Sequence, residues 1–158
     1  MKIDDLTLTL FKWSDIPATK YAAGSSNLTG ETALGLLKIR TDDGIDGYAF
    51  LGSATYSAEV DCKGLMQFLK PLVIGEDPLD REKIYQAMWK QNRKVTIRSI
   101  GAIDVALHDI AAKAAGVPLY KLLGGFRDKI PAYASSAILS DPEEYAEEAL
   151  QYKEDGWA

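Results

Sequence analysis

The amino-acid sequence predicts an α+β fold in which strands come first and helices follow. Three observations carry that expectation. Apolar residues alternate with a period of two up to about residue 52, the period lengthens to about 3.6 beyond residue 57, and turn and cap residues sit at each changeover.

In the first segment, Leu6, Leu8 and Leu10 share one face and Thr7, Thr9 and Phe11 the other, as in a strand. A polar loop from about Ile16 to Thr32 leads to a second run, ALGLLKIRT. Thr41-Asp42-Asp43-Gly44 then turns into IDGYAFLG, so the second and third strands form an antiparallel hairpin with the first beside them. The first helix is expected to begin at an N-cap on Ser57, with Glu59 and Asp61 in its first turn. Leu65, Met66 and Leu69 form its apolar face, and Pro71 stops it. A second helix starts near Asp80 and carries Ile84, Ala87 and Met88. The third aligns Ile100, Ile103, Leu107, Ile110 and Ala114 on one stripe and ends at Gly116, with Pro118 beyond it.

From Lys129 the pattern restarts. KIPAYASSAIL reads as a short strand, Ser140-Asp141-Pro142-Glu143 as the N-terminus of a helix over PEEYAEEALQYKED, and Gly156 as its end. Trp157 and Ala158 would open another strand. A strand, a helix and an incipient strand are the start of a βαβ unit, whose first strand needs a parallel neighbour.

Composition bounds the function. A chain of 158 residues, 47% hydrophobic, supports one core and part of another. Its formal net charge of −5, with Lys and Arg interspersed, lacks the basic patch of a nucleic-acid binder. The single Cys62 excludes an internal disulfide and a multi-thiolate zinc site and fits a reducing, cytoplasmic setting. The alternating N-terminus with Asp4 and Asp5 is unlike a signal peptide, and no apolar run approaches the roughly 20 residues that span a bilayer. The sequon at Asn27-Leu28-Thr29 is read as chance.

Several motifs invite chemistry. Gly24 to Thr32 resembles a phosphate-binding loop, but five residues separate its glycines and Glu31 stands where a lysine is needed, so it is read as a surface loop. Asp104 and His108 lie four apart on one helical face, as a carboxylate orienting an imidazole would. With no nucleophile or acidic cluster nearby, a polar contact at the rim of a core is the favoured reading. Asp109 and Lys113 form a second such pair, ordinarily worth about 0.3 to 0.5 kcal/mol. Alanines at 102, 106, 111, 112, 114 and 115 imply close approach of this helix to its neighbours. Glu143, Glu144, Glu147 and Glu148 read as a solvated face.

The third helix carries a recognisable pattern: Gly101-Ala102-Ile103-Asp104, Ala106-Leu107, Asp109-Ile110, Ala112-Lys113, then Pro118-Leu119 and Leu122-Leu123-Gly124. It resembles the signature helix of the enolase superfamily, in the mandelate racemase and muconate lactonizing enzyme branch. Ser99 stands where the pattern more often has Ala. The order of meander, three helices and a further strand resembles that family along the whole chain.

The resemblance implies an N-terminal capping domain over 1–125, a three-stranded antiparallel meander followed by a three-helix bundle. Residues 126–158 would be the first βα unit of an incomplete (β/α) barrel. It implies a Mg²⁺-dependent enzyme that abstracts the proton alpha to a carboxylate through a metal-stabilised enediolate, with dehydration of a sugar acid ahead of racemisation, epimerisation and cycloisomerisation. The metal and catalytic residues would belong to later barrel strands, so none is assigned here and the chain alone should have no turnover. The implied partners are a small carboxylate substrate, the rest of the barrel and, as often in the family, further copies of the chain. Substrate selection would fall to two cap loops, about Ile16 to Thr32 and Leu51 to Tyr56. Lys20, Tyr21, Thr55 and Tyr56 are the candidate substrate-binding residues there, with Tyr133 and Ser135 near the end of the first barrel strand. The alternative is a stand-alone α+β ligand-binding or interaction module, which should be monodisperse and cooperatively folded by itself.

Overall fold

The structure, a computed structural model, describes residues 1–14, 31–136 and 138–157. Lys20, Tyr21, the phosphate-loop look-alike up to Gly30 and the Asn27 sequon lie outside the described residues. Two units result: one comprises Met1–Ser14 with Glu31–Gly125, and the described part of the other is residues 126–136 and 138–157.

In the first unit, β1 (Ile3–Trp13), β2 (Thr32–Thr41) and β3 (Gly47–Leu51) form one antiparallel sheet in the order β1-β2-β3. Leu8 faces Leu37 across the first pair, and Leu37 faces Ala49 across the second. The alternation places Leu6, Leu37, Ile39, Ala49 and Leu51 inward. The hairpin turns where expected: Gly44 N–H donates to the Thr41 carbonyl at 3.1 Å, with Gly44 at φ +79°, where glycine is unstrained.

The first helix is longer than expected. It runs as α1 (Glu59–Gly64), a π turn (Leu65–Leu69) and α2 (Lys70–Val73), so Pro71 does not stop it. The reason is the π turn, in which Lys70 N–H donates to the Leu65 carbonyl five residues back. That wider loop relieves the clash a proline ring makes with the helical turn before it. Ser57 is also not the formal cap, which is Ala58. Its Oγ accepts from the Glu59 N–H at 3.3 Å from just outside the helix. α3 (Arg81–Trp89) starts after Asp80 and buries Ile84 and Met88, as the pattern predicts.

α4 (Ile97–Ala114) is the helix that carries the resemblance. Ile100, Ile103, Leu107 and Ile110 are buried along it, whereas Ala114 is exposed beyond the last packed turn. Gly116, at φ +67°, ends the helix, with Val117 N–H donating to the Ala112 carbonyl at 3.1 Å. The small residues do allow close approach: a Cβ on Gly47 would lie 2.2 Å from the Ala106 carbonyl oxygen. Asp109 and Lys113 are more than a helix-surface pair. Asp109 Oδ2 accepts from the Tyr48 backbone N–H at 2.9 Å and from Lys113 Nζ at 2.7 Å, and Lys113 Nζ also donates to the Asp46 carbonyl at 2.7 Å. The pair joins α4 to the start of β3. α5 (Leu119–Leu122) follows.

One apolar cluster holds this unit together, drawing Leu6 and Leu37 from the sheet, Leu65 and Leu69 from the π turn, Met88 from α3 and Ile103 from α4. At its margin Lys70 Nζ donates to Asp5 Oδ1 at 2.8 Å. This bond, ahead of the opposing effect of burial, holds the Asp5 carboxyl below its ordinary value of 3.8. Its stabilisation is therefore complete above the unfolded carboxylate pKa and is lost as pH falls through the lower folded value. Lys70→Met should raise the Asp5 pKa in a ¹³C carboxyl NMR titration; an unmoved midpoint would mean the pair does not form in solution.

In the second unit, α6 (Pro142–Glu154) is capped by Asp141, whose Oδ1 accepts from the Glu144 N–H at 3.0 Å, and ends at Gly156, φ +86°. The expected strand over 129–139 is absent among the described residues, as is the one at Trp157. A strand exists only by pairing, and no described segment pairs with either stretch. None of the described helices is long and apolar enough to cross a membrane.

Candidate functional site

The loop after β3 is closed on itself. Gly52, at φ +87°, turns the chain so tightly that a Cβ there would lie 2.7 Å from the Ala33 carbonyl oxygen. Ser53 and Tyr56 then exchange backbone hydrogen bonds, 2.9 Å from Ser53 N to Tyr56 O and 3.3 Å in return. Inside this turn the Thr55 hydroxyl lies 3.1 Å from Ser53 Oγ.

Three bonds tie the loop to the start of β2, where the 16–32 loop ends. Thr32 Oγ1 donates to the Ser53 carbonyl at 3.1 Å, Ala33 N–H donates to Ser57 Oγ at 3.3 Å, and Ala58 N–H donates to the Ala33 carbonyl at 2.7 Å. The described end of one expected lid loop therefore adjoins the other. A cavity opens beside it, bordered by Leu10, Thr32, Ser57, Glu59 and the Lys12–Glu31 ion pair.

Beneath Tyr56 lies a polar cluster. The Arg98 guanidinium stacks on the Tyr56 ring with its carbon 3.2 Å from the ring centroid. Arg98 Nη2 donates to Asp61 Oδ2 at 2.9 Å, and the Thr96 hydroxyl donates to the other carboxylate oxygen, Oδ1, at 2.5 Å. Thr96 also caps α4 by accepting from the Ser99 N–H. The Asp61 side chain is fully buried and that of Arg98 is 35% exposed. A buried carboxylate is stable only with such partners.

Of the expected site residues, Thr55 and Tyr56 come together in this loop. Tyr133, 80% exposed, and Ser135 lie in the second unit, on a stretch without regular structure; Lys20 and Tyr21 are outside the described residues. Sequence reasoning missed Asp61 and Arg98. A signal was present: Asp61 stands four and eight residues before Leu65 and Leu69, so helical spacing puts it on the buried face. His108 does not form a dyad with Asp104. Its Nδ1 bonds the Asp104 backbone carbonyl at 2.9 Å, and the carboxylate is 3.6 Å away. Among the described residues no group of three or more His, Cys, Asp or Glu is arranged to hold a metal, so they do not fit a magnesium site.

Residues 13–124 match the family described as mandelate racemase / muconate lactonizing enzyme, N-terminal domain. The chain belongs to this family. A D-galactonate dehydratase family member of Marinomonas sp. strain MWYL1 is 40% identical over 131 residues, covering 77% of this chain and 31% of that protein. The crystal structure of D-glucarate dehydratase from Agrobacterium tumefaciens complexed with magnesium matches with TM-score 0.70 and 30% identity, over 87% of this chain and 36% of the other. The crystal structure of N-succinyl Arg/Lys racemase from Bacillus cereus matches with TM-score 0.80 and 28% identity, over 99% and 42%. The chain thus spans under a third of the Marinomonas relative, and within this mandelate racemase-type family the similar proteins are named as both dehydratases and racemases.

Proposed function

We propose that the chain is the capping domain, residues 1–125, of a sugar-acid dehydratase of the mandelate racemase type, followed over 126–158 by the first βα unit of its barrel. The meander and the helices after it, taken as a three-helix bundle, would carry two loops that close over and select a small carboxylate substrate in a cytoplasmic, oligomeric enzyme. The observation that carries the reading is the closed 52–58 loop, hydrogen-bonded to the end of the 16–32 loop in a chain whose family is established.

The reaction is abstraction of a proton alpha to a carboxylate. Such a proton is very weakly acidic, and bound magnesium would supply the charge neutralisation it needs. The part played by this chain's own residues is selection. Thr55 offers a hydroxyl, and Tyr56 a phenol, on a loop held at both ends; Lys20, Tyr21, Tyr133 and Ser135 are the further substrate-binding candidates. A racemase reading is second, favoured by the similarity to N-succinyl Arg/Lys racemase.

The test is to assay the enzyme carrying this chain against six-carbon aldonic and aldaric acids with magnesium, and to follow alpha-proton exchange in D₂O. Dehydration of at least one acid is expected, abolished by chelation. Tyr56→Ala should lower kcat/KM for the preferred acid about tenfold while leaving the fold intact. Exchange without loss of water would favour the racemase reading, and no exchange with any acid would refute the proposal.

A further inference from the structure

We infer that Arg98, anchored by the buried Asp61, is a positioning residue that fixes the stance of the Tyr56 ring and thereby tunes substrate selectivity. The inference rests on the proposed role of the 52–58 loop and adds to it two residues from outside the loop. The Tyr56 backbone is already pinned by its exchange of hydrogen bonds with Ser53. Its ring, on a residue 38% exposed, has rotational freedom that the backbone does not remove. The flat guanidinium at 3.2 Å from the ring centroid removes it.

The platform is itself held from behind. Arg98 sits in the first turn of α4 and spends Nη2 on Asp61, a carboxylate of α1 with no exposed surface. The second Asp61 oxygen is taken by Thr96, the cap of the same helix. Two helices therefore converge on one cation, and that cation faces the loop. A lysine keeps the charge and an ion pair with Asp61, but its compact ammonium cannot lie flat under an aromatic ring. Arg98→Lys thus separates stacking from charge balance.

The experiment measures kcat and KM of the magnesium-loaded enzyme for its preferred acid in four forms: unaltered, Tyr56→Ala, Arg98→Lys and the double variant. Arg98→Lys should raise KM about three- to tenfold with kcat changed by less than about twofold, and should add nothing in the Tyr56→Ala background. Thermal unfolding of each form verifies that the fold persists. Where Arg98→Lys fails that check, Asp61→Asn, which weakens the anchor and keeps its oxygen, should give the same pattern at smaller amplitude. A kinetic effect of Tyr56→Ala with none from Arg98→Lys overturns the positioning role and leaves the loop's role standing. Effects that multiply show that Arg98 acts independently of Tyr56 and also overturn it. If Tyr56→Ala leaves kcat and KM unchanged, the loop reading fails and the inference falls with it.

Discussion

Gly47→Ala is expected to destabilise the protein by about 3 kcal/mol and to lower Tm by roughly 6 to 12 °C. The added Cβ would sit 2.2 Å from the Ala106 carbonyl oxygen, 3.0 Å from its carbon and 2.7 Å from Ile110 Cγ1. A side chain can swing aside, but the obstacle here is helix backbone in the middle of α4. Relief requires β3 to move away from α4, which would stretch the bond from Tyr48 N–H to Asp109 and part the apolar contacts behind it. Gly44→Ala is the control. That glycine lies in the turn before β3 and has nothing within 4 Å of its Cβ position, so only its φ of +79° opposes a side chain, at roughly 1 to 2 kcal/mol. Denaturant unfolding of both variants gives the comparison, and equal losses would mean that close packing of β3 on α4 is not what demands a glycine at 47.

The second large effect concerns the buried carboxylate. Arg98→Met should cost about 3 kcal/mol, because it leaves the Asp61 carboxylate buried with the Thr96 hydroxyl as its remaining side-chain partner among the described residues. The figure is set at the low end of the range for a broken buried pair because Arg98 is itself 35% exposed. Adding Asp61→Leu in the same chain should recover most of the loss, since an apolar side chain at that depth needs no partner. Urea denaturation of the single and double variants reads the difference. A double variant no more stable than Arg98→Met would show that the cost comes from lost packing of the arginine stem and not from the stranded charge.

Much of the architecture was legible because the signals were local. The period of two with the Thr41 to Gly44 turn specifies the hairpin, and the apolar stripe with Gly116 specifies α4 and its end. Where a boundary depended on more than one rule, it slipped. Pro71 is a stop signal only if the helix before it is regular, and the π turn at Leu65–Leu69 makes it otherwise. The strand expected over 129–139 fails for a different reason: alternation marks a willingness to pair, and pairing needs a second segment. In the candidate site, Thr55 and Tyr56 were proposed through resemblance, and the structure adds that they share one closed turn. Spacing could have flagged the burial of Asp61 but not its pairing with Arg98, because the two are 37 residues apart and their meeting is a property of how α1 and α4 pack.

The joint at Asp109 and Lys113 bears on how relatives of this chain are recognised. Both residues belong to the most recognisable stretch of the sequence, and both are engaged in fastening α4 to Tyr48 and Asp46. That stretch is engaged in assembly, so a match to it reports how α4 is fastened to the sheet and carries no information about a substrate. Under the proposed function, sorting such proteins by what they consume calls for comparing Thr55 and Tyr56 together with the Arg98 and Asp61 that hold the ring in place.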